Sequence, residues 1–219
     1  MVPKILHYIW LGKEKPPTVL ECINSFHKYM SDYEITEWNE SNIDTSKFSP
    51  ALLNLYEDSY KNKQYAFCSD VARLYILLQY GGVYVDTDVE FIRHLPDEIL
   101  NTNFIGRLKP HKTACNGCMW GCNKNNTLVS SLIRWYDETL QRFSDLHGKK
   151  WIFNTIMTQF FELMGDSLDD KEITDFFDYK IYPTEYFCPI DYITGIETVT
   201  QNTVSIHHFN LSWRNRSVC

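Results

Sequence analysis

With 219 residues the chain has room for one domain with a full core, and 44% hydrophobic and 15% aromatic residues place it among globular rather than disordered proteins. A formal charge of −7 argues against nonspecific nucleic-acid binding, whose affinity comes from Lys and Arg meeting phosphates, so a phosphate-bearing ligand must be met by a metal or by local dipoles. The chain carries no apolar run of about 18 residues, and its start, MVPKILHYIWLGKEKPP, is charged too early for a secretory leader. It therefore reads as cytoplasmic, without a transmembrane segment, and its seven cysteines read as reduced thiols.

In chain order, KILHYIWL (Lys4 to Leu11) predicts an apolar strand and GKEKPP a turn behind it. Pro17 opens a helix to about Tyr29, and YEITEWN alternates as a second strand. SPALLNLYEDSYKNKQ reads as a helix with Ser49 as cap and Pro50 at its first position. CSDVARLYILLQYGG reads as another, capped by Ser69 and stopped by Gly81 and Gly82. A strand carrying Asp86 and Asp88 follows, then NFIGRL and TACNGCMWG as strands, and helices over about 127–143 and 151–164. The tail, with YKIYPTEYFCPI and VSIHHFNLSW, reads as loop-rich and aromatic. Strands alternating with helices predict one α/β domain over residues 1–219, a mixed and mostly parallel sheet flanked by helices, with its ligand at the carboxyl ends of the strands.

YGGVYVDTDVEF sets two carboxylates one residue apart, on one face if the strand runs through them, and they repel unless something compensates. One reading is a solvated strand end, kept soluble by its acids. A second is a phosphatase of the haloacid-dehalogenase type, since VYVDTDVE resembles its D-x-D-x-V and GDSLDD its later G-D-x-x-x-D. Asp86 would then attack phosphorus, Asp88 act as acid and base, and Asp166 and Asp170 help hold Mg²⁺, although the residues before Gly165 look helical where that motif follows a strand. The third is a nucleotide-sugar transferase in which a divalent cation bridges the D-x-D and a diphosphate. Mg²⁺ or Mn²⁺ suits such a site, taking one or two carboxylates and filling the rest of its octahedron with phosphate oxygens and water. Cys115, Cys118 and Cys122 form C-x2-C-x3-C, but no fourth ligand stands at good spacing, and small thiols suit a buried strand.

Taken as one block, YAFCSDVARLYILLQYGGVYVDTDVEFIRHLPD resembles the D-x-D region of glycosyltransferase family 32, and KILHYIWLG, YEITEWNE and SIHHFNLSW agree with that family in the same order. The resemblance implies a GT-A fold, a single Rossmann-like domain with a donor-binding half at about 1–110. An acceptor side with a C-terminal metal- and diphosphate-binding segment would occupy about 111–219. It implies a retaining transferase moving a hexose from a nucleotide-sugar donor, UDP-hexose favoured, to a glycan or lipid-linked glycan acceptor, as in bacterial capsule or lipooligosaccharide synthesis. The large glucosylating toxins are similar but more distant, and a protein-modifying enzyme of their kind is the variant reading.

Carried over by resemblance, Ile9 and Trp10 line the nucleobase site, with Trp10 stacking, and Asp70 and Arg73 grip the sugar hydroxyls. Asp86 contacts ribose or sugar and reaches the ion through water, while Asp88 binds it directly. His208, or else His207, supplies the C-terminal metal ligand, and Trp213 donates to the diphosphate. Asn154 stands as a candidate near the anomeric carbon and Asn116 as a strand residue facing donor and acceptor. The implied cofactor is Mn²⁺ or Mg²⁺, and the basic Arg214-Asn215-Arg216 offers a peripheral contact with the inner face of a membrane.

Overall fold

Two βα crossovers build the end of the sheet that matters for function. β1 (Ile5–Ile9) leads through α1 (Pro17–Tyr29) to β2 (Glu34–Trp38), and the chain returns through α2 (Pro50–Lys61) and α3 (Tyr65–Tyr80) to β3 (Gly82–Tyr84). A short β4 (Val89–Phe91), β5 (Asn103–Leu108) and β6 (Thr113–Cys122) follow, then α4 (Thr127–Arg142) and α5 (Ile152–Leu163). β7 (Thr174–Phe176), β8 (Tyr179–Tyr182), the single-turn α6 (Thr184–Phe187) and β9 (Ser205–His207) complete the order. This computed structural model describes residues 1–12, 14–108, 113–142, 152–166 and 169–209, with the side chains of 113–117 and 152–154 outside the description.

Seven strands make one sheet in the order β2-β1-β3-β6-β5-β8-β7, and β4 pairs separately with β9. β1, β2 and β3 run parallel to one another, β6 is antiparallel to both β3 and β5, β8 is parallel to β5, and β7 is antiparallel to β8. Five strands thus point one way and two, β6 and β7, the other. β2 lies on one side of β1 and β3 on the other, so the connections leaving the carboxyl ends of β1 and β3 diverge and open a crevice between them.

The strands are short and apolar on both faces because both faces are covered. Leu6, Val83 and Phe104 enter a core shared with α1, β4 and α6, whereas Tyr84, Ile105 and Trp120 enter one shared with α2 to α5. α3 is the central helix of the second core and carries apolar residues nearly all round, as a helix packed on several sides must. The turn from α3 into β3 requires glycine: Gly82 has φ +90, and a Cβ there would lie 2.6 Å from the Ile5 carbonyl oxygen and 2.9 Å from His7 Nε2. His7, 1% exposed, uses that close approach: Nε2–H donates to the Gly81 carbonyl at 2.9 Å and Nδ1 accepts from the Trp38 indole at 3.1 Å.

Several expectations change. α3 begins at Tyr65, so Ser69 is no cap; its hydroxyl donates to the Ala66 carbonyl within the helix, and Asp70 and Arg73 lie beyond the first turn. The strand expected to carry Asp86 and Asp88 breaks: β3 ends at Tyr84, β4 starts at Val89, and the turn between them, closed by Val89 N–H to the Asp86 carbonyl, holds both acids. The tail expected to be loop-rich includes β7, β8, α6 and β9, whose pairing depends on partners distant in sequence.

Candidate active site

At the carboxyl end of β3, Arg73 is the organising residue. Projecting from α3 and 3% exposed, its guanidinium donates through Nε to the Ser69 carbonyl at 3.1 Å and lies over the Tyr84 ring, 4.5 Å from the centroid. Its Nη2 then meets two carboxylates, Asp70 at 3.0 Å and Asp86 at 3.1 Å. A buried cation needs such compensation, and the two acids supply it while staying partly wet, at 16% and 27% side-chain exposure. Tyr84 donates its hydroxyl to Asp86 at 3.0 Å; burial first, with the Asp86 charge adding, pushes the phenol well above its usual range, so it remains a donor. Two residues before Asp86 in an apolar strand, Tyr84 was recognisable as its neighbour on one face, yet the sequence reading passed over it.

Asp88 sits two residues on and meets the other end of the chain. β4 pairs antiparallel with β9, Val89 opposite His207, and the His208 N–H donates to the Asp88 carbonyl at 2.9 Å. This register brings the His207 ring to Asp88, with Nε2–H donating to Oδ1 at 2.9 Å. His208, the first choice for a metal ligand, turns away to Glu90 at 2.9 Å, so His207 is the histidine placed beside the D-x-D. Burial opposes a charge on His207, but the Asp88 carboxylate and the Cys188 thiol beside the ring outweigh it and raise its pKa well above the ordinary value. The hydrogen bond with Cys118, aided by the imidazole, draws the Cys188 thiol below its usual range despite burial.

One carboxylate oxygen each from Asp86 and Asp88 and a nitrogen of His207 lie within 4.8 Å of one another. Two hard oxygens and an imidazole suit Mg²⁺ or Mn²⁺, and a small site leaving room for phosphate oxygens is what such ions take. The donor set therefore fits a divalent cation.

Trp10 follows β1, adjacent and parallel to β3, so it stands at the same end of the sheet as Asp86. Its backbone N–H donates to the Trp38 carbonyl, and its indole N–H is buried without a hydrogen-bond partner among the described residues. Ile9 is 5% exposed and packs in the core, so contact with a donor would have to come through its backbone. Asn154 lies in the first turn of α5 and Asn116 in β6, both with side chains outside the description, and Trp213 lies outside the described residues.

The phosphatase reading loses its metal site. The Asp166 side chain is 1% exposed and bound by the fully buried Arg107 through both terminal guanidinium nitrogens, at 2.8 and 2.5 Å. Asp170 accepts from the Thr184 backbone N–H and hydroxyl, each at 2.7 Å. Gly165 follows helix α5 and not a strand, and neither acid joins Asp86 and Asp88 in a group able to hold an ion.

The chain is similar to known proteins both in sequence and in fold. Residues 16–105, from just before α1 to within β5, match the family described as glycosyltransferase sugar-binding region containing DXD motif, and the chain is similar in sequence to proteins named as glycosyltransferases. An uncharacterized glycosyltransferase of Acanthamoeba polyphaga mimivirus is 32% identical over 106 residues, covering 44% of this chain and 39% of the relative. Inositol phosphoceramide mannosyltransferase 3 of Schizosaccharomyces pombe is 27% identical over 135 residues, covering 61% and 36%. The chain thus matches less than two fifths of the length of these relatives. Among solved structures, the PaToxG glycosyltransferase superposes with a TM-score of 0.59 at 21% identity, over 78% of this chain and 72% of that one, which establishes the GT-A fold.

Proposed function

We propose that the chain transfers a hexose, with retention, from a nucleotide-sugar donor to a glycan or lipid-linked glycan acceptor in a reaction dependent on a divalent cation. The observation that carries this reading is the convergence of Arg73, Asp70, Asp86, Asp88 and His207 at the carboxyl end of β3. The relative named as a mannosyltransferase favours a hexosyl donor. The choice of uridine diphosphate, a role in bacterial capsule or lipooligosaccharide synthesis, and an inner membrane face as workplace rest on family resemblance. Among the described residues no helix is long and apolar enough to cross a membrane.

Asp86, Asp88 and His207 would hold Mn²⁺ or Mg²⁺, and such an ion, when bound, offsets the charge developing on the departing diphosphate. Arg73, fixed by Ser69, Tyr84 and two carboxylates, presents a guanidinium that cannot swing away, and Asp70 beside it accepts from sugar hydroxyls. Trp10 bounds the crevice for the base, next to the Ile9 backbone. From the family resemblance, Trp213 is assigned to the diphosphate and Asn154 to the surroundings of the anomeric carbon. Each carboxylate of the site is engaged, Asp70 and Asp86 by Arg73 and Asp88 by His207, which disfavours a glycosyl-enzyme intermediate. The acceptor hydroxyl therefore attacks the anomeric carbon from the face the diphosphate leaves and gives its proton to a phosphate oxygen.

The test is release of nucleoside diphosphate from a panel of UDP- and GDP-hexoses, with Mn²⁺ or with chelator, for the wild type and Asp88→Ala. Metal-dependent release from one donor, lost in the variant, is expected. Release of inorganic phosphate from small phosphoesters, or a sugar adduct trapped on Asp70, would overturn the reaction or its stereochemical course respectively.

A further inference from the structure

His207 has a second face. Its Nε2 meets Asp88, while its Nδ1 lies 3.2 Å from the sulfur of Cys118, and the sulfur of Cys188 closes the group: the two sulfurs and an imidazole nitrogen lie within 4.8 Å of one another. Both cysteines are fully buried, and they belong to neither large core; they form a small cluster of their own, bordered by Leu108 and Phe209. Thiols serving as core filler belong among aliphatic neighbours, as Cys68 and Cys122 do among the side chains of α2 to α4. The backbone is shaped to bring this trio together. In the β5–β6 pairing Ile105 faces Trp120 and the next residue, Gly106, faces Cys115, so residues 116–119 bulge out of the ladder, and Cys118 is on that bulge. Cys188 follows α6 and His207 ends β9, so three separate elements converge.

We propose that Cys118, Cys188 and the Nδ1 of His207 bind a soft divalent cation of the zinc class, at a site distinct from the D-x-D and sharing one imidazole with it. Two thiolates and an imidazole are a zinc donor set, with a fourth position for water. Binding displaces to solvent the protons held by the two sulfurs and by Nδ1 of His207, and the two thiolates then balance the dication. Asp88 accepting Nε2–H fixes the tautomer that turns the Nδ1 lone pair to the sulfurs, an outer-shell partner of the kind that orients zinc-bound histidines. A histidine so committed is unavailable to a hard cation at the D-x-D, so the soft ion should raise the Mn²⁺ concentration needed for turnover; this consequence alone rests on the function proposed above.

The experiment is titration of the metal-free, reduced full chain with Co²⁺, reading the near-ultraviolet charge-transfer band that appears only when thiolate binds cobalt. One equivalent should give a band that Zn²⁺ abolishes. It should persist in Asp86→Asn, which disables the D-x-D, and Cys118→Ser and Cys188→Ser should each weaken binding at least tenfold. Melting curves of the serine variants identify any failure to fold. In the wild type, one equivalent of Zn²⁺ should also protect two thiols from a thiol reagent, an outcome independent of those variants. Absence of the band in folded wild type, a band surviving in both folded serine variants, or oxidation of the pair to a disulfide that Zn²⁺ does not prevent would overturn the inference. Loss of donor hydrolysis with the band intact would instead strike the proposed function and spare the thiolate site.

Discussion

Two arginines, each buried and each paired with aspartate, show how the same chemistry serves two ends. The side chains of Arg107 and Asp166 are 0% and 1% exposed, joined by two parallel hydrogen bonds, with Thr174 as a further acceptor: a closed pair that ties β5 to the end of α5 and to β7. Arg73 is almost as buried, yet its two aspartates keep a sixth to a quarter of their side-chain surface in solvent and stand at the open end of the sheet. In the first pair all the charge faces inward and stabilises one arrangement. In the second the cation is fixed and its partners remain accessible to a ligand. Burial of the carboxylate separates a closed ion pair from an open one here, and each half of the contrast can be attacked.

The largest effect on the fold should come from Asp166→Ala, which strands a buried guanidinium: a loss of about 3–5 kcal/mol and a thermal midpoint lower by roughly 10 °C, read by calorimetry. Replacing both partners together, as Arg107→Met with Asp166→Leu, should return most of that stability, and a double variant as unstable as the single one would contradict the assignment of the cost to an orphaned charge. Asp70→Asn should do the reverse, lowering turnover on the order of 10²- to 10³-fold while costing less stability than Asp166→Ala, because Asp86 still faces the Arg73 guanidinium. A large fall in melting temperature would make Asp70 structural after all.

His7 supplies a pH-dependent form of the closed kind. Burial, only partly offset by its bond to Gly81, lowers its pKa from 6.5 to about 4. Protonation therefore favours the unfolded chain: the contribution of neutral His7 is whole above pH 6.5 and is lost as pH falls to 4, about 3 kcal/mol in all. Denaturant midpoints measured across that window should fall less steeply for His7→Gln than for the wild type, and parallel slopes would refute it. The smallest effect belongs to the open site: Tyr84→Phe removes one hydrogen bond from Asp86, worth about 0.5–1.5 kcal/mol, and should raise the Mn²⁺ requirement several-fold with little change in melting temperature.

Much of the site at the carboxyl end of β3 was legible because its signals are local. Asp70 and Arg73 stand three apart on a helix, Gly81 and Gly82 announce the turn into β3, and the apolar strand before Asp86 reports a sheet covered on both faces. What misled was equally local. A run reading VYVDTDVEF looks like one strand, yet the chain turns at Asp86 because β3 needs only three residues beside β1 and β6, and β4 then pairs with β9 from near the far end of the described chain. Ser69 has the chemistry of a cap, but α3 starts four residues earlier, just past the left-handed turn at Lys63 that joins it to α2. GDSLDD offered a motif whose acids are consumed by Arg107 and Thr184.

The sequence by itself determined the alternation of strands and helices, the resemblance to D-x-D glycosyltransferases, and the carboxylate–arginine set around α3 and β3, since these depend on residues within a few positions of one another. Tertiary structure decided which histidine faces Asp88, that Asp166 is structural, and that Cys118 meets Cys188 and His207. Those outcomes turn on strand register and on one bulge, and a shift of a single residue in either would point the same side chains to the opposite face.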